Sequence, residues 1–403
     1  MVLNEMSCLN FSIDITLLSN MKQKKHIIFS SYDDIHNPYY RGGGAQTIHE
    51  IAKRLAREYH VTVITGTYPS AQNEVVDRIS YVRIGASFLG PKLGHLAFHL
   101  LLPFHVLFRR FDLWIESFTP PFSTGFLQLF TKKPVIGTAH MLSAQDMQRK
   151  YKLPFPIVEN IGLRTYRYFI AVTDHLKEKI QHINPQSVIE TIPNAVASVK
   201  RTVQRKEKHI LYLGRIEINQ KGLDLLLDAF KKAGTTLPFP LVIAGHGTGK
   251  ETARLQRLIR EKGLSSSVSF VGRVEGKEKT RLLADSAYVV MPSRFESFGI
   301  VALEALSYEK PVITFALPML AWIPKDCSLK AKCFSSVSLA NALQELGSNK
   351  TKRRTMGKAG GVFAKEYTWD SVLNKYEEFI EKVVKEKKTQ KHFYKLVDTI
   401  SLQ

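Results

Sequence analysis

Two carboxylates bracket a turn suited to holding an anion. Glu296 and Glu304 lie in the stretch Ser293-Arg294-Phe295-Glu296-Ser297-Phe298-Gly299-Ile300-Val301-Ala302-Leu303-Glu304-Ala305, which follows an apolar run ending at Met291-Pro292. The run reads as a buried strand, and the stretch after it as a helix over Phe298–Ser307 with Ser297 as its N-cap. A helix starting at the carboxyl end of a strand turns its free backbone N–H groups, here those of Ser297 to Ile300, toward the sheet edge. In an open parallel sheet that edge is where ligands bind, and a helix N-terminus there favours phosphate. Glu296 just before the helix and Glu304 about two turns inside it then reach hydroxyls on two parts of one phosphorylated ligand. Two glutamates at this separation are, by themselves, more often solvated surface. The strand before them and the cap between them give the pair its meaning.

The elements that must hold such a turn recur along the chain. From Lys25 onward, short β-branched runs at Ile27–Ser30, Val61–Thr65, Leu113–Ile115, Val135–Thr138 and Phe169–Val172 read as strands. The triplet Gly42-Gly43-Gly44 opens a helix over Ala45–Glu58. The rhythm restarts at His209, with strands at Ile210–Leu213, Leu241–Ala244, Val268–Val271, Ala287–Met291 and Val312–Thr314. Helices at Gly222–Lys232, Lys250–Lys262 and Phe298–Ser307 alternate with them. This alternation predicts two α/β domains, each with a largely parallel sheet covered on both faces. The first spans 22–198 and the second 199–368, joined through the basic stretch Val199–Lys208. A helix over 369–385 presents Val372, Tyr376, Phe379, Ile380 and Val383 on one face, and a basic tail occupies 386–403. Residues 1–21 lack the basic start of a signal peptide. They are expected to be a disordered extension, or the product of a start codon upstream of a natural start at Met21.

Composition narrows the partners. A chain of 403 residues is long for one α/β domain and fits two. No run of eighteen apolar residues predicts a spanning helix, and Cys8, Cys327 and Cys333 have neither zinc nor disulfide-framework spacing. The expected compartment is therefore the cytoplasm. A net charge of +21 calls for anionic partners: phosphorylated substrates, an anionic membrane surface or nucleic acid. No zinc-finger or RNP-type signature supports nucleic acid. The segment Leu93–Phe108 is apolar, contains His95, His99, His105 and Pro103, and ends at Arg109-Arg110. It reads either as a buried helix broken at the proline or as a patch lying on lipid headgroups.

The ordered set of motifs resembles the retaining glycosyltransferase family 4. The Glu-Ser-Phe-Gly turn with a second glutamate on its helix matches the family signature. So do Leu211-Tyr212-Leu213-Gly214-Arg215 with Lys221-Gly222 and Leu225 to Phe230, Leu241 to Gly247, Ile192-Pro193-Asn194, and Glu309-Lys310-Pro311-Val312. Gly42-Gly43-Gly44 and Thr138-Ala139-His140 fall where the family has a glycine loop and a histidine. The likeness covers about Lys25 to Lys385. It implies a GT-B fold, with two Rossmann-like domains whose parallel sheets face a central cleft and a C-terminal helix returning to the first domain. It also implies a hexosyltransferase-type, metal-independent enzyme with no cofactor besides its nucleotide diphosphate-sugar substrate. In that scheme Arg215 and Lys221 neutralise the diphosphate, Glu304 accepts from the ribose, and Glu296 binds the donor sugar. His140 contacts the sugar from across the cleft. Gly43, Gly44, Asn194, Gly245, Ser297, Phe298 and Gly299 complete the donor-binding set.

Three departures stand out. Ala195 replaces a usual glycine, Met141 a frequent aspartate, and Phe315-Ala316-Leu317-Pro318-Met319 a Gly-Gly loop ending in an acid. The expected function is transfer of a sugar to a glycan or lipid-linked acceptor in cell-surface polysaccharide or glycolipid biosynthesis. The expected location is cytoplasmic, at the inner face of the membrane as a peripheral protein, with Glu116–Ser123 forming part of the acceptor wall. The alternative is a catalytically weak scaffold of a glycan-assembly complex, in which the altered 315–319 loop has lost donor chemistry.

Overall fold

The computed structural model describes residues 24–37, 43–119, 123–142, 144–199, 206–234 and 237–400. The extension 1–21, Gly42, most of the basic linker and residues 401–403 lie outside the described residues.

The first sheet contains β1 (His26–Ser31), β2 (His60–Gly66), β3 (Glu74–Val76), β4 (Ile79–Ile84), β5 (Leu113–Ser117), β6 (Val135–Ala139), β7 (Tyr168–Ala171) and β8 (Val188–Thr191). Their order is β3-β4-β2-β1-β5-β6-β7-β8, parallel except for the β3–β4 hairpin. Strands β5, β6 and β7 are buried at every position, which is why Leu113–Ile115, Val135–Ile136 and Tyr168–Ala171 read as apolar runs. Helix α1 (Gly43–Leu55) follows β1, and α2 (Gly90–Phe108) carries the chain back from β4 to β5. Strand periodicity separates the two faces. Ile27 and Phe29 pack with Ile48 and Leu55 of α1, whereas Ile28 packs with Phe98, Leu102 and Val106 of α2. The order reverses between β1 and β5, so the ligand-binding crevice of this sheet lies at their carboxyl ends. The α2 layer is completed by α3 (Ala144–Tyr151), α4 (Phe155–Thr165), α5 (Asp174–Ile183) and the 3-10 turn Leu127–Phe130.

The second sheet contains β9 (His209–Leu213), β10 (Leu241–Ala244), β11 (Val268–Gly272), β12 (Ser286–Met291), β13 (Val312–Phe315) and β14 (Ser328–Ala331). It is parallel, in the order β11-β10-β9-β12-β13-β14. Around it lie α6 (Ile218–Lys221), α7 (Leu223–Ala233), α8 (Gly249–Glu261), α9 (Gly276–Asp285), α10 (Ile300–Ser307), α11 (Ser336–Ser348) and α12 (Lys350–Ala364). The last helix, α13 (Trp369–Ile400), returns to the first domain. Its Val372, Tyr376, Phe379, Ile380 and Val383 enter the core on the α1 side, and Arg54 pairs with Glu377 at 3.1 Å. This is the two-domain GT-B architecture that the motifs imply.

Several elements differ from the sequence reading. Strands β3, β4, β8 and β14 are additional. Three of them alternate or are only partly buried, and β14 is only four residues long, so none gives a strong apolar run. The helix α13 runs on past Lys385 as far as Ile400. Pro103 does not break α2, which is continuous from Gly90 to Phe108 with one face packed and the other exposed. Burial of Phe98 before the proline and of Val106 after it ties both halves to the same sheet.

Gly222 is among the glycines fixed by a close backbone approach. Gly222 joins α6 to α7 with φ of 65°, and a Cβ there would sit 2.0 Å from the Pro292 carbonyl oxygen. Gly222→Ala is expected to lower stability by about 2–4 kcal/mol in urea unfolding. A loss below about 0.5 kcal/mol would contradict the packing described.

Candidate functional site

The carboxyl edge of the second sheet gathers the charged residues that the sequence scatters. Lys221 ends α6, and Glu296 lies in the loop after β12. Lys221 Nζ lies 2.6 Å from Glu296 Oε2, and the two side chains are 14% and 13% exposed. A second pair lies beside the first: Lys279 of α9 meets Glu304 of α10 at 2.6 Å. Lys279 was not foreseen. It is twenty-five residues from Glu304, and no sequence spacing links a residue on α9 to one on α10 across β12. Arg294 was not foreseen either. It forks onto both oxygens of Asp224 at 2.8 and 2.7 Å and donates to the Asn219 carbonyl, which locks the loop to α6 and α7. This pairing holds the Asp224 carboxyl below its ordinary range, against the opposing effect of burial. Arg215 follows β9 and is 68% exposed, 3.8 Å from Glu217. It is the free arm of the group, not a packed member.

The turn itself corrects the cap assignment. The helix α10 starts at Ile300, and its N-cap is Gly299, in the left-handed conformation with φ of 81° and without a side-chain capping bond. Ser297 is not the cap, because the chain makes one more turn before the helix begins. Glu304 consequently sits just past the first turn, closer to the helix mouth than two turns. The Gly299 φ of 81° is one that side-chain-bearing residues rarely adopt, and a Cβ there would also come 2.8 Å from the Met291 methyl, so glycine suits this position. Phe298 is buried and stacks on Trp322, with ring centres 4.4 Å apart, and the Trp322 indole donates to the Phe298 carbonyl at 2.9 Å. Gly245 follows β10 and spends its N–H on the Gly272 carbonyl at 2.7 Å.

The divergent loop is half-buried: Leu317 and Met319 are partly covered, while Ala316 and Pro318 are exposed. Phe315 is fully buried at the end of β13, and Pro318–Leu320 forms a 3-10 turn resting on α5 of the first domain. Lys330 donates to the Leu320 carbonyl at 2.5 Å, and burial lowers its pKa to about 8. The apolar residues found there serve a contact between domains.

On the first domain, His140 follows β6, and behind it lies a small cavity lined by Thr47, Ser117, Thr138 and Tyr376 of α13. The residue as a whole is part-buried, and its Nε2 is buried and without a hydrogen bond among the described residues. Burial pushes its pKa down to about 4, so the imidazole is neutral at pH 7. The hydroxyls of Thr138, Ser293 and Thr314, at the ends of β6, β12 and β13, are likewise buried and unpaired among the described residues. Helix α1 begins at Gly43, and the space beside Gly44 opens toward the Asp33 carboxylate, 3.7 Å from the position of a Cβ. Burial raises the Asp33 pKa to about 6. A lone aspartate after a strand carries no sequence signal, and Asp33 emerges only from the fold. Asn194 is buried between β8 and Val196, whose N–H reaches the Tyr367 carbonyl at 2.9 Å.

Glu116 does not form an acceptor wall. It is buried, accepts from the Gly125 N–H at 2.5 Å and from the Tyr166 hydroxyl, and burial pushes its carboxyl up to about 7. It ties down the loop after β5. Residues 120–122 of that wall lie outside the described residues.

Comparison with known proteins follows the same division. Residues 41–198 match the profile of Glycosyltransferase Family 4, and residues 196–363 that of Glycosyl transferases group 1. An uncharacterized glycosyltransferase of Methanocaldococcus jannaschii is 31% identical over 165 residues, covering 40% of this chain and 45% of the relative. A D-inositol 3-phosphate glycosyltransferase of Corynebacterium aurimucosum is 28% identical, with 60% and 65% covered. The chain thus spans less than half the length of the Methanocaldococcus relative and just under two thirds of the other. Among solved structures, sucrose-phosphate synthase from Thermosynechococcus elongatus superposes with a TM-score of 0.75 at 20% identity, covering 89% of this chain and 99% of that one. Anabaena HepE, determined with UDP-glucose, superposes at 0.69 with 16% identity, over 89% and 100%. Two family profiles in tandem, the two facing sheets and the returning helix agree: the chain belongs to glycosyltransferase family 4 and has the GT-B fold.

Proposed function

We propose that this protein is a retaining glycosyltransferase. In this reading it moves a sugar from a nucleotide diphosphate donor to a glycan or lipid-linked acceptor in cell-surface polysaccharide or glycolipid biosynthesis. The observation that carries the reading is the pair of ion pairs, Lys221–Glu296 and Lys279–Glu304, at the mouth of α10. A diphosphate offers the lysines an anionic partner beside a helix N-terminus, and the two glutamates turn to hydroxyls of the sugar and the ribose. Charge accumulates on the diphosphate as the sugar leaves, and Lys221, with Arg215 swinging in, stabilises it without a metal ion or further cofactor. Neutral His140 accepts or donates one hydrogen bond to the donor sugar from the opposite domain. Gly43, Gly44, Asn194, Gly245 and the Ser297–Gly299 turn let backbone approach the donor. We place the protein in the cytoplasm, peripheral at the inner face of the membrane, where its charge of +21 meets anionic lipid.

Thermal melting against a panel of UDP-, GDP-, ADP-, CMP- and TDP-sugars tests the reading. A UDP-sugar is tried first, because Anabaena HepE was determined with UDP-glucose. Ligand at about 100 times its Kd adds about 2.7 kcal/mol. The expected result is a shift with one nucleotide class that disappears in Glu304→Ala. Silence across the whole panel would favour the scaffold alternative, with the altered 315–319 loop as its cause.

A further inference from the structure

We propose that the outer face of the α2 layer is a docking surface for an anionic phospholipid bilayer. The proposal gives the membrane placement above a defined surface, and it rests on that placement. Helix α2 is apolar on both sides. Phe98, Leu102 and Val106 fill the core, while on the other side Leu100, Phe104 and Phe108 are 63%, 58% and 81% exposed. Phe88, just before the helix, is 86% exposed. Leu129, on the 3-10 turn packed beside α2, and Ile161 of α4, in the same layer, are also exposed. Exposed apolar area on this scale marks an interaction site, not ordinary surface.

Charge identifies the occupant. Neither 87–111 nor 126–134 contains an aspartate or glutamate, and Arg109, Arg110, Lys132, Lys133 and Arg164 flank the apolar face. A second copy docked by this face through a two-fold contact would set those cations against each other with no acid from either segment between them, the adjoining Asp112 being engaged by the His26 N–H at 2.8 Å. An anionic lipid surface neutralises them and takes the apolar side chains in one contact. Among the described residues no helix is long and apolar enough to cross a membrane, so the mode is lying on the bilayer, not spanning it.

The orientation also suits the chemistry. The amino end of α2 lies at the cleft edge of the first sheet, where His95 and His99 each lie 3.3 Å from the Thr119 hydroxyl just past β5. Its carboxyl end lies at the opposite edge, where the Arg110 carbonyl is 2.8 Å from His26 Nδ1 at the start of β1. A bilayer along α2 therefore reaches the crevice between β1 and β5, which is what a lipid-linked acceptor needs.

Flotation of the full chain is the test, with vesicles of phosphatidylcholine alone and with about one quarter phosphatidylglycerol. The wild type is expected to float with the anionic vesicles and at least about tenfold less with the neutral ones. Phe88→Ser/Leu100→Ser/Phe108→Ser is expected to cut anionic-vesicle binding at least about tenfold, and Arg110→Glu/Lys132→Glu to do the same at low salt. All these side chains are on the surface, and unchanged melting temperatures exclude misfolding. Failure of the wild type to float, or equal flotation by the triple variant, overturns the proposal. A dimer in sedimentation that the triple variant abolishes also overturns it, in favour of a second copy. Flotation needs no donor, so a silent nucleotide panel with intact flotation would sink the transfer reading and leave the surface standing.

Discussion

Lys221→Met is expected to lower kcat for sugar transfer about 100- to 1000-fold, with a much smaller change in KM. Lys221 is only 14% exposed and points at Glu296, which in the proposed chemistry holds its ammonium where the charge of the leaving diphosphate grows. Interactions stronger in the transition state than in the ground state appear in kcat. Glu296→Gln should fall by a similar factor for a different reason, since it replaces the charged acceptor for the donor sugar with a weaker, neutral amide. The two are coupled: removing either leaves the other without its ion-pair partner at 2.6 Å, so the double variant should lose far less than the product of the singles. The check is steady-state transfer with whichever donor shifts the melting temperature. A fall of less than about threefold in Lys221→Met would remove this lysine from the proposed chemistry.

The second large effect is acid sensitivity. Burial holds His95, His99 and His140 at pKa values of about 4, 3 and 4 against 6.5 unfolded, and lowers His26, His105 and His209 as well. Each of these histidines is neutral in the fold and takes a proton when unfolded below pH 6.5. Their stabilisation is therefore complete above pH 6.5 and is lost as pH falls toward 4. Asp33 and Glu116 work the other way. Raised to about 6 and about 7, they bind protons in the fold first and gain stability on acidification. Six histidines against two carboxyls give a net loss. His95→Gln/His99→Gln isolates the effect, because its difference from wild type does not involve the carboxyls. Between pH 7 and 5, the wild type should lose about 2–4 kcal/mol more than this variant in urea unfolding. Equal losses would mean that these imidazoles are solvated.

Local chemistry made much of this protein legible. Strands β5, β6, β7, β9 and β12 are buried on both faces, so continuous apolar runs announced them, and the alternation with helices implied parallel sheets. The returning helix was visible because Val372, Tyr376, Phe379 and Ile380 share one face. Glu296, Glu304, Lys221 and Arg215 were nominated by ordered motifs, and their positions at one sheet edge follow from a repeating strand–turn–helix unit. Strands β3, β4, β8 and β14, at or next to the sheet edges, left weaker traces, since partial burial or short length relaxes the demand for apolar residues.

Tertiary structure decided what depends on contacts between distant segments. The pairing of Lys279 with Glu304, the fork of Arg294 on Asp224 and the Trp322 brace on Phe298 join residues that no spacing rule connects. The cap is Gly299 and not Ser297, in a left-handed conformation beside Met291 and Leu320 that capping propensity alone does not reveal. The apolar 315–319 segment departs from the family's Gly-Gly loop, and only the fold shows that its 3-10 turn, Pro318–Leu320, contacts α5. Hydrophobicity alone likewise could not say which side of α2 faces the core. The sheet takes Phe98, Leu102 and Val106, and what remains is turned outward by the 100° step of the helix.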